Sequence, residues 1–151
     1  VERREQRGAG AADARLDGGQ SGGVGVRRSR PALHPHPGDP AVVDELQRAM
    51  EVAVCPVVLG ELLGGFAFGS RERENLRELD EFMAAPRVRL LSVTDRTSVF
   101  YARIYGALRR KARPIPANDL WIAASAMEHG LALLSFDRHF GEIDGLVSRL
   151  L

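Results

Sequence analysis

The fold is read from Ala117-Asn118-Asp119-Leu120-Trp121-Ile122-Ala123-Ala124-Ser125-Ala126-Met127-Glu128-His129-Gly130-Leu131-Ala132-Leu133-Leu134-Ser135-Phe136-Asp137. Asn118 is a favourable helix N-cap, Leu120, Ala123, Ala124 and Met127 recur on one helical face, and Gly130 stands where a left-handed residue ends a helix. The alanines let this helix approach a sheet closely. Leu131 to Leu134 is then apolar throughout, the pattern of a parallel strand covered on both faces. Asp137 follows at the carboxyl end of that strand, where open α/β sheets place their ligands.

Upstream, the same alternation repeats. Asp39-Pro40 supplies an N-cap and a first-turn proline for a helix carrying Val42, Val43, Leu46 and Met50. Val52-Ala53-Val54 reads as a strand, and Pro56 opens a helix with a Leu59, Leu62, Leu63, Phe66 stripe. Ser70 is placed to cap a charged helix ending near Ala85. Val88 to Val93 reads as a strand, and Thr94 caps a helix bearing Tyr101, Ile104, Tyr105 and Leu108, closed by Arg109-Arg110-Lys111. Strands alternating with helices predict an α/β layered domain with a parallel sheet.

Residues 1–38 have a different character. They hold half of the sixteen glycines, seven arginines and no Ile, Phe, Tyr, Trp or Met. Such a segment buries too little to offset its ordering entropy, so it is expected to be irregular, with the domain spanning 39–151. Lys111 is the single lysine among 21 basic residues, as in GC-rich coding DNA, and the Arg, Gly, Ala and Pro content of 1–38 is what a wrong reading frame of such DNA encodes. The segment is read either as misread coding sequence or as a genuine disordered tail.

Composition narrows the class. A chain of 151 residues with 44% hydrophobic residues fits one domain, since domains commonly hold about 100–150 residues. No apolar run reaches the roughly 18 residues of a membrane helix. Cys55 is alone, and no secretion signal is evident, so a cytoplasmic protein is expected. The net charge of +1 divides into +3 on 1–38 and −2 on the rest, which neither predicts nor excludes a nucleic-acid partner.

Three carboxylates stand out. Glu61 lies in a helix that is apolar almost all round, where a carboxylate needs a partner; alone, it reads as an edge acid that snorkels or pairs with arginine. Asp119, taken alone, is explained by the helix dipole, and Asp137 by turn chemistry. Together they are more specific. Pro56-Val57-Val58-Leu59-Gly60-Glu61-Leu62-Leu63, Pro114-Ile115-Pro116-Ala117-Asn118-Asp119-Leu120-Trp121-Ile122-Ala123-Ala124 and Leu133-Leu134-Ser135-Phe136-Asp137-Arg138-His139-Phe140 match in order, separation and neighbours. In these blocks the chain resembles the PIN-domain ribonucleases, in particular VapC toxins, over about residues 39–151.

The resemblance implies a three-layer α/β/α PIN-like fold, with Glu61, Asp119 and Asp137 as catalytic and metal-site acids and Asn118 and Ser135 assisting by hydrogen bonds. It implies a metal-dependent endoribonuclease, the toxin of a type II toxin–antitoxin system, with an RNA substrate, a cognate antitoxin and a homodimeric state. Converging carboxylates repel unless a cation lies among them, and Mg2+ or Mn2+ suits oxygen ligands and keeps sites open to phosphate. By the same resemblance an antitoxin segment docks between the helices holding Leu59–Phe66 and Leu76–Met83.

One feature of the family pattern is missing. Such proteins begin with a strand ending in an aspartate, whereas Gly18 to Gly38 contains no acid, and Asp17 has no apolar run behind it. The N-terminal strand is therefore expected to be absent or replaced, leaving exposed sheet edges, an uncovered Leu131–Leu134 and a poorly stable isolated chain. The alternative reading is a catalytically inactive remnant that binds antitoxin or dimerises. A phosphate-binding α/β domain of another family is disfavoured, because no Gly-rich phosphate loop is present.

Other signals have plainer readings. His34-Pro35-His36 reads as loop, and His139 as packing or hydrogen-bonding near the strand end. Cys55 reads as core, Trp121 as core or interface, and Arg109, Arg110, Lys111 and Arg113 as a solvated helix end.

Overall fold

A computed structural model of the chain describes residues 24–27 and 40–150. In order these form β1 (Val24–Arg27), α1 (Pro40–Arg48), β2 (Glu51–Val54), α2 (Pro56–Phe68), α3 (Glu72–Met83), β3 (Val88–Leu90), α4 (Asp95–Arg110), α5 (Ala117–Glu128), β4 (Ala132–Ser135), a 3-10 turn (Arg138–Glu142) and β5 (Ser148–Leu150). The His34-Pro35-His36 segment lies outside the described residues.

Local chemistry accounts for most boundaries. Pro56 occupies the first turn of α2, where its missing N–H costs nothing. Thr94 and Thr97 form a reciprocal capping box at the start of α4. Gly130, at φ 61°, takes the left-handed conformation after α5. α3 begins without the Ser70 cap expected from sequence; Arg71 precedes it with no side-chain cap, and Arg71–Glu74 and Arg77–Glu81 pairs line its surface. β3 stops at Leu90 rather than Val93, because its partner β2 ends at Val54 and Pro56 turns that chain into α2.

The sheet has the order β3-β2-β1-β4-β5. β2 pairs with β3 in parallel and β4 with β5 in parallel, while β1 runs antiparallel to both β2 and β4. Four strands therefore share one direction around a reversed centre, and the sheet is mixed where a wholly parallel one was expected. The central position, predicted to be vacant or replaced, is taken by Val24–Arg27, with Val24 opposite Val54 on one side and Leu134 on the other. These four residues come from the segment expected to be irregular. Because β1 closes the centre, Leu133 and Leu134 are buried rather than uncovered, and the instability expected from an open sheet does not follow.

Consecutive residues of a strand point to opposite faces, yet Val52, Ala53 and Val54 are exposed by only 0%, 0% and 1%. Leu133, Leu134 and Ser135 behave alike. Both faces are thus covered by helices, giving the three-layer α/β/α architecture. α5 lies across β1 and β4, and α4 packs along α5. α4 runs antiparallel to α5, since Thr94 and Thr97 at its start donate to Glu128 at the end of α5. The rings of Tyr101 and Trp121 meet midway, with centroids 4.4 Å apart.

Candidate metal centre

The carboxyl end of β4 and the first turn of α5 converge on one spot. Asp119 sits in that first turn with 0% of its surface exposed. Asp137 follows β4 and caps the 3-10 turn, its Oδ1 accepting the His139 backbone N–H at 2.8 Å. The buried Ser135 fixes this geometry from behind, its Oγ accepting the Asp137 backbone N–H at 3.0 Å. His139 Nδ1 lies 3.0 Å from the same Asp137 Oδ1. One ligand atom each from Asp119, Asp137 and His139 falls within 4.8 Å of the others.

Glu61 is placed beside this group rather than in it. Its Oε1 accepts a hydrogen bond from Asn118 Nδ2 at 2.7 Å, tying α2 to the residue before Asp119. Its Oε2 is buried and has no hydrogen-bond partner among the described residues. Burial raises the Glu61 carboxyl above the ordinary carboxylate range, and the Asn118 bond lowers it in part. Asn118 is not the N-cap that local sequence suggested. α5 already begins at Ala117, after Pro116, which frees the Asn118 amide to reach a residue 57 positions away.

The donor set fits a divalent cation. Two carboxylates gathered at a strand end repel each other, and a buried one is costly, so a cation between them offsets both terms. Oxygen donors from Asp119 and Asp137 suit Mg2+ or Mn2+, and Glu61, held by the residue before Asp119, keeps its Oε2 without a hydrogen bond among the described residues. No nucleophilic thiol competes, since Cys55 is buried and its thiol is pushed up chiefly by that burial.

Sequence reading missed two features. The proximity of His139 to both aspartates follows from the tight turn that Asp137 caps, and the Asp-x-His spacing of an Asx turn was the signal for it. The orientation of β1 is the other. Because β1 is reversed, the residue it brings to the carboxyl ends of β2 and β4 is Val24, its first, while its last, Arg27, lies at the far edge. A strand ending in an acid would deliver that acid to the site only if it ran parallel to its neighbours. Asp17 lies outside the described residues.

Residues 32–146 match the family model of the PIN domain. Over 90 residues, 60% of this chain and 69% of the relative, the sequence is 34% identical to ribonuclease VapC4 of Mycobacterium tuberculosis. Over 106 residues, 70% of this chain and 78% of the relative, it is 29% identical to ribonuclease VapC5 of the same organism. Among solved structures it is similar to VapBC2 from Rickettsia felis bound to a DNA fragment from their promoter, with a TM-score of 0.59 and 26% identity over 65% of this chain and 73% of that one.

Proposed function

Since the chain belongs to the PIN domain family and is of the VapC type, we propose that it is a Mg2+- or Mn2+-dependent endoribonuclease, the toxin of a type II toxin–antitoxin pair acting in the cytoplasm. The observation that carries this reading is the meeting of Asp119 and Asp137, from different elements, at the carboxyl end of β4. A bound divalent ion supplies Lewis acidity toward phosphate oxygens and a means of activating water. The chain's own residues hold and aim: Asp119 and Asp137 bind, Ser135 fixes the backbone of Asp137, and Asn118 orients Glu61.

Charge supports RNA as the substrate. Arg48, Arg71, Arg77, Arg89, Arg113 and Arg149 pair with acids, and Lys111 pairs with Asp144. Arg96, Arg103 and Arg110, by contrast, recur every seven residues on the exposed face of α4, with no ion pair among the described residues. At 1.5 Å per residue they span about 21 Å, several nucleotides of a single strand. Arg110 ends the helix just before the loop that leads to Asn118 and Asp119. Of the basic run read as a solvated helix end, only Arg109 and Arg110 stay without an acidic partner among the described residues.

An antitoxin partner is supported by the solved VapBC assemblies that this chain resembles. It is supported also by apolar surface on α2, where Leu63 is exposed and Phe68 is 97% exposed. A partner helix laid against α2 and α3 would cover these side chains.

The test is incubation of the purified chain with single-stranded RNA in Mg2+ or Mn2+, followed by chelation and re-addition of metal. Cleavage that stops with EDTA and returns with metal is expected; cleavage that continues in EDTA contradicts the proposal. The inactive-remnant reading is kept alive by the reversal of β1, which brings no acid of its own to the site. A folded chain that binds antitoxin and never cuts RNA in either metal would favour that reading.

A further inference from the structure

His139 sits where a ligand would. Its side chain is more than half exposed, yet the turn that carries it is held, because the His139 backbone N–H donates to Asp137 Oδ1 at 2.8 Å. That bond bears on the imidazole. Asp137 Oδ1 already has a donor from the main chain, so no ring N–H is needed to set the carboxylate rotamer. Its ring Nδ1 nevertheless comes within 3.0 Å of that oxygen, and one of its ring nitrogens lies within 4.8 Å of a carboxylate oxygen of Asp119 as well. Donors at adjacent corners of an octahedral ion, each about 2.1 Å from it, are about 3.0 Å apart, which is the spacing found between Nδ1 and Oδ1.

We infer that His139 is a nitrogen ligand of the divalent-metal site formed with Asp119 and Asp137, and that it biases the site toward Mn2+ over Mg2+. Carboxylates alone discriminate weakly between these ions. Mn2+, although the weakest of the first-row divalent ions toward imidazole, accepts a nitrogen ligand more readily than Mg2+, a hard ion that prefers oxygen and dehydrates reluctantly. The rival role for His139 is a hydrogen bond from Nδ1–H that merely orients Asp137. In that role it would tune the affinity for both ions alike. The inference rests on the reading that Asp119 and Asp137 hold a divalent ion at all.

The full chain, stripped of metal and dialysed, separates these possibilities. Mn2+ and Mg2+ affinities are measured for the wild type, His139→Ala, His139→Gln and Asp137→Asn, and the Mn2+ complexes are examined by pulsed electron paramagnetic resonance for coupling to 14N. A ligating His139 predicts imidazole coupling in the wild type, lost in His139→Ala. It also predicts about a tenfold or greater fall in Mn2+ affinity with a much smaller change for Mg2+. His139→Gln, which can offer an oxygen, should retain Mg2+ binding without the nitrogen coupling. Absence of imidazole coupling in Mn2+-loaded wild type overturns the inference, as do equal losses for both ions in His139→Ala. Failure of the underlying reading looks different: neither ion binds, or binding is indifferent to Asp137→Asn. Thermal melts of the variants confirm that each is folded.

Discussion

Replacing Asn118 with alanine removes the only side-chain hydrogen bond that Glu61 makes among the described residues. The Nδ2 to Oε1 distance is 2.7 Å, and hydrogen bonds to charged groups are worth about 1.5–3 kcal/mol when shielded from water. Here Asn118 is exposed and Glu61 only half-buried, so water takes over part of the lost interaction and the expected cost is nearer 1 kcal/mol. Asn118 donates to the ionised form of Glu61, so its loss leaves burial to push the carboxyl further up. Both effects reduce the negative charge that Glu61 holds beside the site of Asp119 and Asp137. About 1 kcal/mol corresponds to roughly a fivefold loss of divalent affinity at neutral pH. The loss should grow as pH falls toward the Glu61 titration. Calorimetric titration of Mn2+ into wild type and Asn118→Ala across the acid range measures this. An unchanged affinity, or a loss independent of pH, refutes the role given to the Asn118–Glu61 pair.

Arg96, Arg103 and Arg110 changed together to alanine should weaken RNA binding regardless of sequence. The slope of log affinity against log salt should also fall by about 2, at roughly 0.7 per phosphate contact on a single strand. Binding measured over a salt series with the same slope as wild type would remove α4 from the RNA path. Glu61→Gln keeps an acceptor for Asn118 and removes a charge penalised by burial. Because the folded-state carboxyl is raised, its stabilising contribution is fully present below the ordinary carboxylate value and is lost as pH rises through the raised one. The metal-free variant should therefore melt higher than wild type at neutral pH and equally at acid pH, with the neutral-pH order reversed in Mn2+. A metal-free variant that melts lower at neutral pH would contradict this.

How much was legible in the sequence depended on how local the cause was. Helices α2, α4 and α5 were readable because Leu59, Leu62, Ile104, Leu108, Leu120 and Ala123 keep helical spacing, and β2 and β4 because Val52–Val54 and Leu131–Leu134 are apolar on both faces. β1 was not readable, since the alternation in Val24-Gly25-Val26-Arg27 spans only four residues of a segment rich in Gly and Arg, and strand direction is set by pairing partners rather than by the strand itself. β5, at three residues, is likewise too short to show a pattern and went unanticipated. At the site, the neighbourhoods of Asp119 and Asp137 were legible as strand end and helix start. A hydrogen-bonding role for Asn118 was implied by the resemblance, but its partner Glu61 was not legible, because the bond joins residues 57 apart and competes with a local capping role that sequence favours. The splitting of the basic run was equally non-local, as Asp144 and Glu142 reach back to Lys111 and Arg113 from the C-terminal segment.

The most direct test of the central claim is the rate of RNA cleavage by Asp137→Asn beside the wild type, in saturating Mn2+, with both shown to be folded. Asparagine keeps an oxygen to accept the His139 backbone N–H, so the turn should survive while the charge that holds the cation is lost. Metal-dependent cleavage by the wild type and none by the variant, at an unaltered fold, is the expected result. Cleavage by Asp137→Asn at the wild-type rate would contradict it.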